Sequence, residues 1–365
     1  MVGVINMNGY NLKEIIGQFQ VETDVSAYGE GHINDTYLAT ISPNKYILQR
    51  INHNIFKNPE KLMKNIFLVT EFLREKIINN GGDPNRETLT VIKTRDGKDL
   101  YKTNNGNYFR MYLYVDDANT YQIVEKKEQF YNAARAFGKF QRWLTDFPAE
   151  KLYETIISFH NTKVRFGNLL KAINEDKAGR KNEVLAEIEF ALKREKDTCI
   201  IVDALNKKEI PLRVTHNDTK LNNVLFDKET DEAICVIDLD TVMPGSLLYD
   251  YGDAIRFGAS SGAEDEKNLD KIYCDLELFK AFTKGFLQEL GDSITKKEIE
   301  LLPFSAKLMT YECGIRFLTD YLNGDTYFKI HRVEHNLDRA RTQFKLVADM
   351  EEKIVEMEKI VRECI

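Results

Sequence analysis

Val214-Thr-His-Asn-Asp-Thr-Lys-Leu-Asn-Asn-Val-Leu-Phe226, followed by Ala233-Ile-Cys-Val-Ile-Asp-Leu-Asp240, is the stretch whose reading decides the fold. Alternation of apolar and polar residues predicts a short strand around Leu212 and Val214, a polar loop, and a second strand from Val224 to Phe226. A turn over Asp227 to Asp231 then leads to a third strand from Ala233 to Ile237. The loop carries His216, Asp218 and Asn223, and the third strand ends on Asp238 and Asp240. The chain therefore offers a carboxylate, an amide five residues later, and a second carboxylate delivered by the next hairpin.

Phosphoryl transfer needs such a set. One carboxylate orients the attacking hydroxyl and takes its proton, while an amide oxygen and another carboxylate hold the magnesium that bridges the phosphates. A polar turn closed by Asx bonds uses the same residue types. The ordered pair H-x-D-x-x-x-x-N and I-D-x-D between strand-like flanks favours the catalytic reading, because it follows a kinase catalytic loop and its metal-binding Asp. The spacing resembles the aminoglycoside-phosphotransferase branch of the kinase-like superfamily.

Composition bounds the rest. The 365 residues suffice for two domains or one domain of two lobes. An apolar fraction of 43% supports a substantial core. The net charge of −7, with no basic block, argues against non-specific nucleic-acid binding, which depends on clustered Lys and Arg. Five scattered cysteines (Cys199, Cys235, Cys274, Cys313, Cys364), with no C-x-x-C pair, suit free thiols in a reducing compartment. Neither a signal peptide nor a membrane-spanning run is read, so a cytoplasmic location is expected.

In chain order, an amphipathic segment at Leu12 to Phe19 precedes Ala27-Tyr-Gly-Glu-Gly-His-Ile-Asn-Asp-Thr-Tyr-Leu-Ala-Thr40 and a strand from Tyr46 to Ile51. Strand, glycine turn and strand is the layout of a nucleotide-covering hairpin, with Gly29 and Gly31 letting backbone approach phosphate. A plain hairpin turn has the same sequence. The cation expected after the apolar run of the second strand is missing: that position is Gln49. Arg50 follows, on the opposite face by alternation. A helix is predicted from about Pro59 to Ile78, then strands around Thr88 to Ile92 and Asn107 to Val115. The second of these carries Tyr112 and Tyr114 into a hinge that would read adenine. Beyond Tyr121 the pattern turns helical: Phe130 to Leu144, a stretch from Phe159 to Leu205, a helix near Leu248 to Arg256, segments near 273–290 and 296–323, and a long final helix. Asp250 is expected to accept backbone N–H bonds that brace the catalytic loop.

Longer blocks carry a closer resemblance. Tyr28-Gly-Glu-Gly-His-Ile-Asn34, Thr215 to Asn223, Ile237-Asp-Leu-Asp-Thr-Val-Met-Pro-Gly-Ser246, Arg256-Phe-Gly-Ala-Ser260 and Glu312-Cys-Gly-Ile-Arg-Phe-Leu318 are similar to the N-acetylhexosamine 1-kinases, nearly end to end. The resemblance implies an α+β, bilobal protein-kinase-like fold, with a β-rich N-terminal lobe (1–116) and a mostly helical, sugar-binding C-terminal lobe (117–365). It implies ATP- and Mg2+-dependent phosphorylation of N-acetylglucosamine and N-acetylgalactosamine at C1, in amino-sugar salvage. Asp218 falls on the catalytic base and Asn223 with Asp238 on the metal ligands. His32, Asp218, Arg316 and Tyr327 fall on sugar contacts, while Gly29, Gly31, Gln49, Tyr112 and Tyr114 line the nucleotide side. The expected partners are small molecules alone, neither nucleic acid nor membrane. Two alternatives stay open: another small-molecule hydroxyl kinase of the superfamily, or a nucleotide-binding pseudokinase.

Overall fold

Residues 9–23, 25–29 and 33–365 are described by the computed structural model of the chain. Its elements begin with α1 (Leu12–Gly17), β1 (Val25–Ala27), β2 (Asp35–Ile41), β3 (Asn44–Ile51), α2 (Pro59–Asn79) and α3 (Pro84–Glu87). Next come β4 (Val91–Ile92), β5 (Tyr101–Lys102), β6 (Tyr108–Leu113), β7 (Ala118–Asn119), α4 (Lys127–Trp143), α5 (Thr162–Glu175), α6 (Leu185–Leu192) and α7 (Ile200–Asn206). The remainder is β8 (Arg213–Thr215), β9 (Val224–Asp227), β10 (Ala233–Val236), β11 (Met243–Gly245), α8 (Leu247–Gly258), α9 (Leu276–Leu290), α10 (Lys296–Leu322) and α11 (His335–Glu363). Strands crowd the first third and helices the rest, the α+β division expected from the pattern.

Contacts gather the chain into two units. One is drawn from Met1–Asn119, Lys151–Ile156 and Leu225–Met243, and the other from Thr120–Glu150, Ile157–Val224 and Pro244–Ile365. The first unit is built on an antiparallel sheet in the order β1-β2-β3-β6-β4, with β5 also paired to β6. Strand alternation sorts its two faces. Tyr37, Leu48 and Met111 stand opposite one another in register and are buried with Leu12, Ile15, Ile16 and Phe19 from α1 and its flank. The next row, Thr36, Gln49 and Arg110, must therefore face the other way. Helix α2 starts on an Asn58 cap with Pro59 in its first turn, and it buries Leu62, Ile66, Val69 and Leu73 at the predicted spacing.

Two predicted elements differ. The strand expected around Thr88 shortens to Val91–Ile92, because Asp83 caps Asn85 and Pro84 opens the short helix α3 instead. The helical run from Phe159 to Leu205 is three helices. Asp176, left-handed at φ 40°, closes α5, and a loop through Gly179 precedes α6.

The second unit is a helical assembly in which α4 packs on α9, and α10 packs on α5, α8 and α11. The predicted stripe of α4 is buried, with Phe130, Ala133, Ala134, Phe137 and Phe140 all turned inward. Helix α8 lies so close to α10 that a Cβ on Gly252 would sit 2.4 Å from the Ser305 carbonyl oxygen and 2.6 Å from Met309. Among the described residues no helix is long and apolar enough to cross a membrane. Gly252→Ala is expected to force the two helices apart and lower stability by about 1–3 kcal/mol, the usual range for overpacking. Urea denaturation of the full chain measures it.

Candidate active site

The loop after β8 belongs to the second unit, and its shape follows from one buried side chain. Asp250, on the first turns of α8, accepts the His216 N–H at 2.9 Å through Oδ2 and the Asn217 N–H at 2.7 Å through Oδ1. Gln141 of α4 donates to the same carboxylate at 2.6 Å and to the Val214 carbonyl at 2.9 Å. The Thr219 hydroxyl closes the frame on the Asp250 carbonyl at 2.5 Å. Asp250 thus does what its place in the sequence led us to expect. Asn217 sits at φ 65°, a left-handed conformation that Asn tolerates better than most residues.

Held this way, the loop sets Asp218 beside Asn223. The Asn223 amide nitrogen donates to the Asp218 carbonyl at 2.8 Å and to its carboxylate at 3.1 Å. The amide oxygen is therefore the atom of Asn223 left for a cation. Lys220 Nζ lies 2.8 Å from Asp218 Oδ1. Burial pushes the Asp218 carboxyl up, but the Lys220 ammonium, His216 and the Asn223 amide together outweigh it and hold the group below the usual carboxylate range. His216 has a supporting part. It is fully buried, meets Phe137 and Phe140 edge-on, and accepts the Asp218 N–H on Nδ1 at 3.2 Å.

A second buried pair steadies the loop from behind. His160 Nε2 faces the Asn217 carbonyl at 3.2 Å, and Nδ1 meets Glu312 Oε1 at 2.8 Å. Thr162 donates to the other Glu312 oxygen at 2.6 Å. Phe159, adjacent to His160, lies under the Arg316 guanidinium at 5.3 Å. One turn of α10 therefore connects the residue behind Asp218 to Arg316.

Arg316 and Tyr327 line the same cavity, of about 310 Å³, within the second unit. Asp320 shapes its rim by accepting the N–H groups of Thr326, Tyr327 and Phe328 at 2.8 to 2.9 Å. The wall carries Arg165, Lys171, Lys177 and Arg316 against Glu175 and Asp320. Lys177 approaches Glu175 at 3.2 Å, and Asp320 is taken up by backbone and by Asn336, so neither carboxylate is left over for a cationic ligand. Burial, and then the charge of Arg316, depress the Arg165 pKa.

The segment with Asp238 and Asp240 belongs to the first unit. Asp238 is exposed and left-handed at φ 58°, whereas Asp240 is 4% exposed. Asp240 is ion-paired through Oδ1 with Arg110 and accepts Asn34 Nδ2 on Oδ2 at 2.7 Å. Arg110 Nε also donates to Gln49 Oε1 at 3.0 Å, and Gln49 Nε2 donates to Thr36 Oγ1 at 3.1 Å. Arg50 is on the opposite face, bonded to Asp35 at 2.5 Å. Tyr112 is buried under Arg110, ring to guanidinium 5.2 Å, and Tyr114 is half-buried with its hydroxyl 3.2 Å from that of Tyr28. Gly29 takes φ 73°, open only to glycine at low cost. Gly31 and His32 lie outside the described residues.

Among the described residues no group of three or more His, Cys, Asp or Glu could hold a metal alone. Magnesium does not need such a group, since it takes one or two protein oxygens and completes its shell with water and phosphate, and the free amide oxygen of Asn223 and the exposed carboxylate of Asp238 are each of that kind.

A model of the phosphotransferase enzyme family matches residues 24–289. The chain belongs to that family. Solved structures agree on the fold. A microcompartment-associated aminopropanol kinase aligns with TM-score 0.63 at 14% identity, over 95% of this chain and 98% of that one. A spectinomycin phosphotransferase in complex with ADP and spectinomycin aligns at 0.58 and 14%, over 93% and 98%. The Plasmodium vivax ethanolamine kinase aligns at 0.53 and 15%, over 88% and 82%.

Sequence reasoning passed over four residues of this phosphotransferase. Arg110 was visible only as one polar residue in an aromatic strand, and it is the register of β3 against β6 that puts it on the face of Gln49. Glu312 stands in a strongly apolar helix, a signal that a buried partner awaits it. His160 and Arg165 gave no signal, since their partners are far away in the chain. For Asp218, a ¹³C titration of the carboxyl is expected to give a midpoint below about 3.9, the ordinary Asp value. Its charge then contributes stability above the unfolded value, lost as pH falls through the folded one.

Proposed function

We propose that this phosphotransferase transfers the γ-phosphoryl group of ATP to the anomeric hydroxyl of N-acetylhexosamines, giving the sugar 1-phosphate and ADP. The observation that carries the reading is the shared cavity of Arg316 and Tyr327, two of the three described positions that the resemblance marks for the sugar; the third, Asp218, is not in its lining. Its lining has four cationic side chains and two engaged carboxylates, which repels the amines that aminopropanol or ethanolamine would bring and suits hydroxyl and acetamide oxygens as acceptors. A donor left unpaired by a sugar lacking the acetamide supplies discrimination that an apolar pocket cannot.

In this reading Asp218 accepts the proton of the anomeric hydroxyl and aims its oxygen at phosphorus. An anomeric hydroxyl is more acidic than other sugar alcohols, so an unusually basic carboxylate is unnecessary and the lowered pKa of Asp218 is no handicap. Asn223 and Asp238 would hold magnesium, which neutralises phosphate charge when bound with the nucleotide. Lys220 keeps Asp218 ionised and oriented. Orientation carries most of the rate, because the transition state of phosphoryl transfer is loose.

A coupled ADP-release assay over N-acetylglucosamine, N-acetylgalactosamine, glucose, galactose, choline, ethanolamine and spectinomycin tests the proposal, with ³¹P NMR locating the phosphate. Turnover confined to amines, or phosphate away from C1, would remove it. Asp218→Asn is expected to lower kcat by about two to four decades with nucleotide affinity retained. Arg316→Ala should raise KM for the N-acetyl sugar by roughly 10- to 100-fold, the scale of one lost hydrogen bond from a charged group, and leave KM for ATP as it is.

A further inference from the structure

The first unit holds a buried cation that the proposed chemistry does not use. Kinase-like sheets place a cation on the third strand and pair it with a helix carboxylate, and activity requires that pair together with the metal-binding Asp. Here the strand position is Gln49, and Glu71, one of three glutamates on α2, is exposed and pairs with Arg74 at 3.7 Å. The charge has moved one strand over. Arg110 stands opposite Gln49 in the register of β3 and β6, and donates through Nε to its side-chain Oε1 at 3.0 Å. At 1% exposure Arg110 has no face for a nucleotide, so it does not simply replace a phosphate clamp.

What Arg110 does reach is the segment that ends in the proposed metal ligand. Its guanidinium pairs with Asp240, two residues beyond Asp238. Burial opposes its charge, but Asp240, Tyr112 and Asp238 together more than compensate. The same short segment is fastened twice more within this unit. Asn34 donates to Asp240 Oδ2 at 2.7 Å while accepting the Asn52 N–H at 3.0 Å, and Asn65 of α2 donates to the Val242 carbonyl at 2.9 Å. Asp238 lies between β10 and these anchors in a left-handed conformation, one that Asp tolerates better than most residues.

We propose that Arg110 is a positioning residue for Asp238. Through Asp240 it fixes the turn that presents the metal-binding carboxylate, and through Gln49 and Thr36 it ties that turn to the sheet. The inference rests on the reading of Asp238 as a magnesium ligand. It predicts that loss of Arg110 acts on metal use and on the local order of residues 237–242, more than on the sugar or on the remainder of the fold.

The test uses the full chain with Arg110→Lys, and with Asp240→Asn as a second, milder variant should the first fail to fold. Hydrogen exchange of the metal-free protein reads the turn directly, because local opening is measured segment by segment. Exchange over 237–242 is expected to rise by at least about tenfold in either variant, with β8 and its loop unchanged. Titration calorimetry with ADP, with and without magnesium, reads the metal. The magnesium concentration that half-saturates the gain in ADP affinity should rise about 10- to 100-fold, as when a residue supporting a metal ligand is lost. ADP affinity without metal should stay at the wild-type value. The combined variant should lose little more than either single one, since both remove one interaction.

A variant with lowered thermal stability but wild-type exchange over 237–242 and wild-type magnesium dependence would overturn the inference and leave Arg110 a packing residue. Wild-type protein whose ADP affinity ignores magnesium would overturn the assignment of Asp238 itself. The two failures are therefore distinct.

Discussion

A buried carboxylate with its donors in place organises the candidate site. The loop from His216 to Asn223 must project side chains rather than form a ladder, so its own N–H groups cannot be satisfied by neighbouring strands. Buried and unpaired, each would cost about 1–3 kcal/mol. Asp250 removes that cost for His216 and Asn217, with bonds of 2.9 and 2.7 Å, and Gln141 and Thr219 hold Asp250 in turn. The site is consequently as rigid as α8 and α4. Helix α8 is buried along nearly its whole length, and the missing side chain of Gly252 lets it sit tight on α10. Packing far from the chemistry thus fixes where Asp218 stands.

Four aspartates near the decisive stretch illustrate how one residue type takes different parts. Asp250 is buried among N–H donors and serves the backbone. Asp240 is buried against Arg110 and Asn34, so both its oxygens are spoken for by protein. Removing one member of such a pair leaves the other charged and buried, which typically costs about 3–5 kcal/mol. Asp218 is half-buried beside Lys220 and stays ionised. Asp238 alone is exposed. The two aspartates that stay accessible are those to which the proposal gives the chemistry, whereas Asp250 holds backbone in place and Asp240 holds the Arg110 and Asn34 side chains.

The cavity around Arg316 bears on the choice of acceptor in the same terms. Guanidinium groups on α5 and α10 share its wall, and Arg316 is braced against Phe159 and Phe328 at 5.3 and 5.5 Å. Stacking on aromatic faces fixes a planar group with little further loss of entropy, which favours a defined set of hydrogen bonds over a general attraction for charge. The link from Phe159 through His160 to the Asn217 carbonyl means that this wall and the loop bearing Asp218 are parts of one packed structure. Under the proposed function, holding an acceptor and orienting its hydroxyl are then not tuned independently.

The order of strands and helices, the spacing of Asp218, Asn223 and Asp238, and the bracing part of Asp250 could be read from sequence, because each depends on neighbours close in the chain or on a strict period. Alternation alone also put Arg50 on the wrong face to follow Gln49, and its bond to Asp35 agrees. Tertiary structure alone decided the rest. Only the register of β3 against β6 brings Arg110 opposite Gln49, and only the fold brings β6 to a turn 130 residues further on, where Asp240 waits. His160 and Glu312, likewise, are 152 positions apart. Local propensity and periodicity are properties of adjacent residues, whereas a buried charge finds its partner by proximity in space, and a single sequence does not record that distance.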